Sequence, residues 1–169
     1  MELRPITIDD LAFYESLLCD PRMMSELGGP LPSEGLAEKL SGIVDDVAAG
    51  TAWYDVITPD GDAAAEAGTV CIWEHTWNGE SINEIGWMVL PAFQGQGLAT
   101  RAVDSILHRA RAETRWGVVH AFPGTTNAPS NSICRKAGFS MIEECDFGYA
   151  GRVLRCNHWR IDLRSALSA

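Results

Sequence analysis

The stretch Glu84-Ile-Gly-Trp-Met-Val-Leu-Pro-Ala-Phe-Gln-Gly-Gln-Gly-Leu-Ala-Thr100 changes conformational period in its middle. Up to Leu90 it continues an apolar, β-rich run that begins at Ile82, which predicts a strand. Pro91 ends that strand, and Gly95 and Gly97 make a loop. Beyond the loop Ala99, Ala102, Val103, Ile106, Leu107 and Ala110 fall on one face of a long helix whose solvated back is Arg101, His108, Arg109 and Arg111. Strand, glycine loop and helix N-terminus together are anion-binding geometry. Glycines let a ligand approach the backbone, and the first turn of a helix leaves N–H groups without internal partners. A pyrophosphate fits such a loop.

Two nucleotide-binding readings fail on the residues. A Walker loop closes on Gly-Lys-Ser/Thr, whereas Leu98 follows Gly97. A dinucleotide fingerprint opens a βαβ unit and ends on glycine; here Thr100 holds that position and no acidic strand end lies about twenty residues on.

Working outward, Leu3 to Ile8 reads as a short strand, and Asp9 or Asp10 can cap a helix carrying Leu11, Phe13, Tyr14, Leu17 and Leu18. After Asp20-Pro21, Ser33 is the expected cap of a second helix with Leu36, Leu40, Ile43, Val44 and Val47 inward and Gly50 as its stop. Trp53 to Thr58, Gly68 to Trp73 and Ile82 to Leu90 read as an antiparallel meander, with Pro59-Asp60-Gly61-Asp62 as a hairpin turn. Val118 to Phe122 is a strand, Asn127 or Ala128 starts a short helix that Gly138 stops, and Phe139 to Phe147 and Val153 to Asp162 form a closing pair. The expected fold class is α/β, in a single domain over residues 1–169, with a frayed tail after Arg164.

Composition narrows the function. The 169 residues carry 13 basic and 23 acidic side chains, a net charge of −10, which repels phosphate backbones and argues against a nucleic-acid partner. The same field favours cationic ligands such as amines. Five cysteines without a CxxC pair and four histidines without a metal-ligand spacing suggest buried thiols, no disulfide framework and no metal site. The polar start and the shortness of the longest apolar run, around Ile85 to Phe93, point away from a signal peptide or membrane span and towards the cytoplasm.

Gln94, Gly97 and Ala99 match the Gln/Arg-x-x-Gly-x-Gly/Ala signature of the GNAT superfamily of acyl-CoA N-acyltransferases, after a Val-x-Pro approach at Val89 and Pro91. A second block, Asn127-Ala-Pro-Ser-Asn-Ser-Ile-Cys-Arg-Lys-Ala-Gly-Phe139, resembles the family's Asn-x-x-Ser helix. Asp20-Pro-Arg-Met-Met-Ser-Glu-Leu-Gly-Gly-Pro30 and Asn157-His158-Trp159 are similar to the ribosomal-protein alanine N-acetyltransferase-like (RimJ/RimL-type) branch. The resemblance implies a mixed, mainly antiparallel sheet of six or seven strands flanked by about four helices. It implies acetyl-CoA, or a close acyl-CoA, as co-substrate. Trp87, Met88 and Val89 would line its pantetheine arm, the loop Gln94, Gly95, Gln96, Gly97, Leu98, Ala99 and Thr100 its pyrophosphate, and Asn127 and Ser130 would complete the cofactor side.

The implied reaction is direct attack of a neutral primary amine on a thioester in a ternary complex, so a proton must leave the ammonium and another must reach the departing thiolate. Many relatives place a Tyr acid where this chain has Cys134, which leaves Ser130 as the candidate acid or, alternatively, as a helix cap. Glu84 is the candidate base, with Glu26, Glu74, His75 and His120 in reserve, although strand alternation puts Glu84 and Asn83 on opposite faces. Met23, Met24, Leu27, Gly28 and Gly29, with Trp53 or Trp73 nearby, read as a flexible loop lining the amine pocket. The acceptor is either a protein N-terminus or a small amine, a homodimer is left open, and the alternative is an acyl-CoA-binding module without catalysis.

Overall fold

The computed structural model describes residues 1–62 and 64–164, so the tail after Arg164 lies outside the described residues. Seven strands run as β1 (Glu2–Pro5), β2 (Ala52–Thr58), β3 (Gly68–Trp77), β4 (Glu80–Val89), β5 (Val118–Ala121), β6 (Ser140–Tyr149) and β7 (Arg152–Asp162). Four helices, α1 (Leu11–Leu18), α2 (Leu36–Ala49), α3 (Leu98–Ala112) and α4 (Ala128–Lys136), cover the sheet. The strand order is β1-β2-β3-β4-β5-β7-β6, with every neighbouring pair antiparallel except β4 and β5.

The β3–β4 hairpin is longer than the sequence reading, which stopped at Trp73. Asn78 and Gly79, at φ 50° and 81°, form a two-residue turn whose twist matches the flanking strands, so the ladder runs to Trp77 and Glu80. Ala150 and Gly151, at φ 48° and 74°, close the β6–β7 hairpin in the same way. Helix α2 is capped not by Ser33 but from Gly35 at φ 83°, with the Leu36 N–H donating to the Ser33 carbonyl.

Alternation along the strands builds two cores. On one side Ile57, Val70, Ile72, Ile85, Val119 and Ile161 meet Ala102, Val103, Ile106 and Leu107 of α3. On the other, Val56 packs with Tyr14 and Leu17 of α1 and Leu40 of α2. Each large aliphatic side chain removed from water here contributes about 1.5–3 kcal/mol. Arg109 departs from the expected solvated face of α3. Its guanidinium lies 4.0 Å from the Trp53 ring and 2.6 Å from the carboxylate of Asp55, which is buried and would be strongly destabilising without that partner. Among the described residues no helix is long and apolar enough to cross a membrane.

Candidate active site at the gap between two parallel strands

Strands β4 and β5 are paired over a very short distance. The ladder joins Asn83 to Val119 and Glu84 to His120 and then ends, while β4 stays paired to β3 as far as Val89. Strand β5 stops at Ala121, two residues before Pro123, which has no N–H to extend it. The base of the gap is fixed from the far face, where the Asn83 amide donates to the carbonyls of Trp116 and Val118 at 2.6 and 3.2 Å. One backbone edge of Ile85 to Val89 is therefore left without a strand partner, and Trp87, Met88 and Val89 lie along it.

The glycine loop opens at the end of that edge. The Gln94 side-chain amide donates to the Val89 carbonyl at 2.9 Å and ties the loop to the strand. Gly95 and Gly97 sit at φ 77° and 73°, and a Cβ at either would meet no atom within 4 Å. Backbone conformation demands glycine there, and the surrounding space is an open cradle. Helix α3 begins at Leu98 with no side-chain cap, so the first-turn N–H groups of Leu98, Ala99 and Thr100 face the cradle unsatisfied by the helix. These features fit a pyrophosphate; Leu98 itself is buried in the core and offers only its backbone.

Helix α4 approaches the gap from the other side. Asn127 is its cap, the side-chain oxygen accepting from the Ser130 N–H at 3.1 Å. The capping role once open for Ser130 therefore belongs to Asn127, and the Ser130 hydroxyl is not needed for it. Cys134 is wholly buried among the α3-side residues, and burial pushes its thiol up to about 12. Asn131, not singled out by sequence reasoning, is 4% exposed and has its amide fully used. It donates to the carbonyls of Gly124 and Asn127, at 2.9 and 2.8 Å, and accepts from Asn157 Nδ2 and Trp159 Nε1, at 2.8 and 2.9 Å. Its only sequence signal is a polar residue one helical turn before Cys134, on the buried face.

Glu84 faces the α1–α2 side, just below the gap, and Trp73 is its neighbour across β3. The Trp73 ring closes over Gly86, where a Cβ would stand 3.2 Å from it. Glu84 is 8% exposed and its Oε2 has no hydrogen-bond partner; His75 Nδ1, at 3.7 Å, is too far to supply one. Burial raises Glu84 to about 8 and lowers His75, so both favour their neutral forms and the contact is not an ion pair at neutral pH. An unpartnered carboxyl in an apolar wall is suited to accepting a proton near pH 8.

Around Glu84 the sheet gathers residues that the sequence scatters. Tyr14, Tyr54 and Met88 form one wall. Phe122 and Phe147, with Trp77 and Ile82, form another, and Tyr149 packs against both. His120 Nδ1 and His158 Nε2 are 2.8 Å apart, stacked beside Phe122. Burial chiefly, then His158 and Arg160, lowers His120 to about 4; burial also lowers His158. Burial favours the neutral form of both, joined by one N–H···N hydrogen bond.

Several expectations are corrected here. Glu74 is exposed and, by strand alternation, on the face opposite Glu84. Trp53 likewise lies on the α3 side, against Trp116 and Arg109, so Trp73 is the tryptophan on the Glu84 face. The Met23–Gly29 loop is fastened: Met24 is fully buried, the Gly29 N–H donates to the Met24 carbonyl, and Leu31 N–H donates to Leu18 O, both at 2.8 Å. Glu26 accepts from the Thr126 hydroxyl at 2.8 Å, and the Arg152 guanidinium donates to the carbonyls of Gly28 and Gly29. Among the described residues no group of three or more His, Cys, Asp or Glu is placed to hold a metal ion.

A mixed sheet in which, among the described residues, the only parallel pair parts beside an uncapped glycine-loop helix is the architecture of an acyl-CoA-dependent transferase. The family model of the acetyltransferase (GNAT) domain matches residues 1–140, and the chain belongs to that family. No curated protein matches the chain. Among solved structures it is similar to spermidine N-acetyltransferase from Vibrio cholerae in complex with CoA and spermine, at TM-score 0.77 and 17% identity over 96% of this chain and 95% of that one. It is similar to RimL, a ribosomal alpha-N-protein acetyltransferase in complex with coenzyme A, at TM-score 0.76 and 16% identity over 95% and 92% of the two chains. The ribosomal-protein-S5-alanine acetyltransferase from Vibrio fischeri gives TM-score 0.76 and 18% identity over 96% and 92%.

Proposed function

We propose that the chain is a single acyltransferase domain that moves the acetyl group of acetyl-CoA onto a primary amine by direct attack, with both substrates bound together, in a cytoplasmic setting. The observation that carries this reading is the juxtaposition at the end of the β4–β5 ladder. An unpaired strand edge and an uncapped helix N-terminus adjoin on one side, and the unpartnered Glu84 faces the other. Acetyl-CoA would supply the acyl group as a thioester, with CoA as the departing thiolate.

The chain's own residues divide the remaining work. The backbone edge at Trp87, Met88 and Val89 aligns the pantetheine arm, and an N–H there is positioned to stabilise the carbonyl oxygen. The N–H groups of Gly95 to Thr100 hold the pyrophosphate. Glu84 takes the first proton of the ammonium; after attack the N–C bond forms and the C–S bond breaks, the nitrogen's second proton passes to the Ser130 hydroxyl, and that hydroxyl's own proton goes to the leaving sulfur. Holding both reactants at one gap supplies a large part of the rate by orientation. The neighbours' named acceptors, a protein N-terminus and spermidine, are the two acceptor classes within this reading.

Thiol release from acetyl-CoA, followed with product mass spectrometry over a panel of primary amines and N-terminal peptides, tests the proposal. The expected result is amine-dependent release with one acetyl group added to the acceptor amine. CoA binding without transfer to any acceptor would instead define a binding module.

A further inference from the structure

Resting on that reading, we infer that the loop Arg22–Pro30 is a strap that restricts the acceptor to compact free amines and excludes peptide N-termini, with Arg152 and Glu26 as its specificity-determining residues. Glu84 lies beneath two apolar walls, one of Tyr14, Tyr54 and Met88 and the other of Phe122 and Phe147, which Tyr149 spans. The strap is joined at two separate points to the elements on either side of that face.

One point is at α4. Glu26 accepts from Thr126, one residue before the Asn127 cap, and a Cβ on Gly124 would already be 3.3 Å from the Glu26 carboxylate. The other is at the start of β7, where the Arg152 guanidinium reaches the Gly28 carbonyl and, at 2.9 Å, the Gly29 carbonyl. Gly28 is held at φ 84°, which demands glycine, and a Cβ there would be 2.7 Å from the Arg152 Cδ, so the side chain packs directly against the strap backbone.

A peptide acceptor enters as an extended chain whose N–H and C=O groups need partners, and loop carbonyls at the mouth are the natural ones. In this chain Arg152 already occupies two of them. A small amine needs none: Glu84 takes its proton, its carbon skeleton has aromatic walls, and the acidic surface raises its local concentration.

The test compares kcat/KM for a compact amine, 2-phenylethylamine, with that for hexapeptides beginning with Ala or Ser, in the wild type and in Arg152→Ala. The wild type is expected to favour the compact amine by about 10²-fold or more. Arg152→Ala should narrow that ratio by about tenfold, mainly through a lower peptide KM, as befits the freeing of two carbonyls. Arg152→Lys, which keeps the charge but loses the planar fork, should narrow it less and serves if the alanine variant does not fold. A wild-type enzyme that uses the peptides as well as the amine, or a ratio unmoved in both variants, overturns the strap. Absence of transfer to every acceptor overturns the acetyltransferase reading as well.

Discussion

Glu84, the proposed base, is a buried carboxyl whose Oε2 has no hydrogen-bond partner, and its titration is read in stability and in activity with opposite signs. In the unfolded chain it loses its proton near its ordinary value of 4.5, whereas folded it holds the proton up to about 8. Between those values the folded state binds more protons, so this group's contribution to stability falls as pH rises. Glu84→Gln removes that dependence. Its melting temperature relative to wild type should climb between pH 5 and pH 9 by at least about 1 kcal/mol of stability, or about 2–4 °C for a chain of this length. Activity moves the other way. As the proposed base, Glu84 must be deprotonated, so kcat/KM should rise with pH, reach half its maximum near 8 and level off above about 9, given an acceptor whose own ammonium titrates elsewhere. The Gln variant should lose about 10²-fold together with that limb. For Ser130 the expectation is a kcat loss of about 10²-fold on change to Ala, with little change in melting temperature, because the cap is made by Asn127. A loss below about threefold would remove Ser130 from proton transfer.

At the scale of elements, the glycine loop and α4 were legible because each is local. Gln94 to Thr100 and Asn127 to Phe139 each fit within a few turns of chain, where Gly at positive φ, Asn at a cap and Gly at a stop have direct conformational meaning. The loop prediction is correspondingly simple. Gly97→Val, with no neighbour to clash against but a φ of 73° to adopt and a side chain in the cradle, should weaken CoA binding by about tenfold or more in calorimetry. Unchanged affinity in a folded variant would move the pyrophosphate elsewhere. Strand parity was only half legible. Alternation separates Glu84 from Asn83, but which face each occupies depends on the helices that cover it, so the sequence alone does not choose between Trp53 and Trp73 or set Glu74 apart from Glu84. The Asn78-Gly79 turn has the residues of a hairpin, but Glu74 to Trp77, alternately exposed and half-buried, lacks the apolar density by which a core strand is recognised.

The whole molecule assembles what no local stretch announces. Tyr14, Tyr54 and Tyr149 are all the tyrosines of the chain, and they converge on the Glu84 face from α1, β2 and β6. His75, His120 and His158 come together there from three strands. Such convergence depends on sheet order and curvature, and a sequence shows those only through family resemblance. The same assembly sets the central claim: the cofactor and acceptor sides are two halves of one gap, and reaction needs both filled at once. Initial velocities measured with acetyl-CoA and amine varied together test it most directly. The account predicts double-reciprocal lines that intersect, with no acetylated protein in the mass spectrum when acetyl-CoA is added alone; parallel lines with a stable acetyl-protein would contradict it.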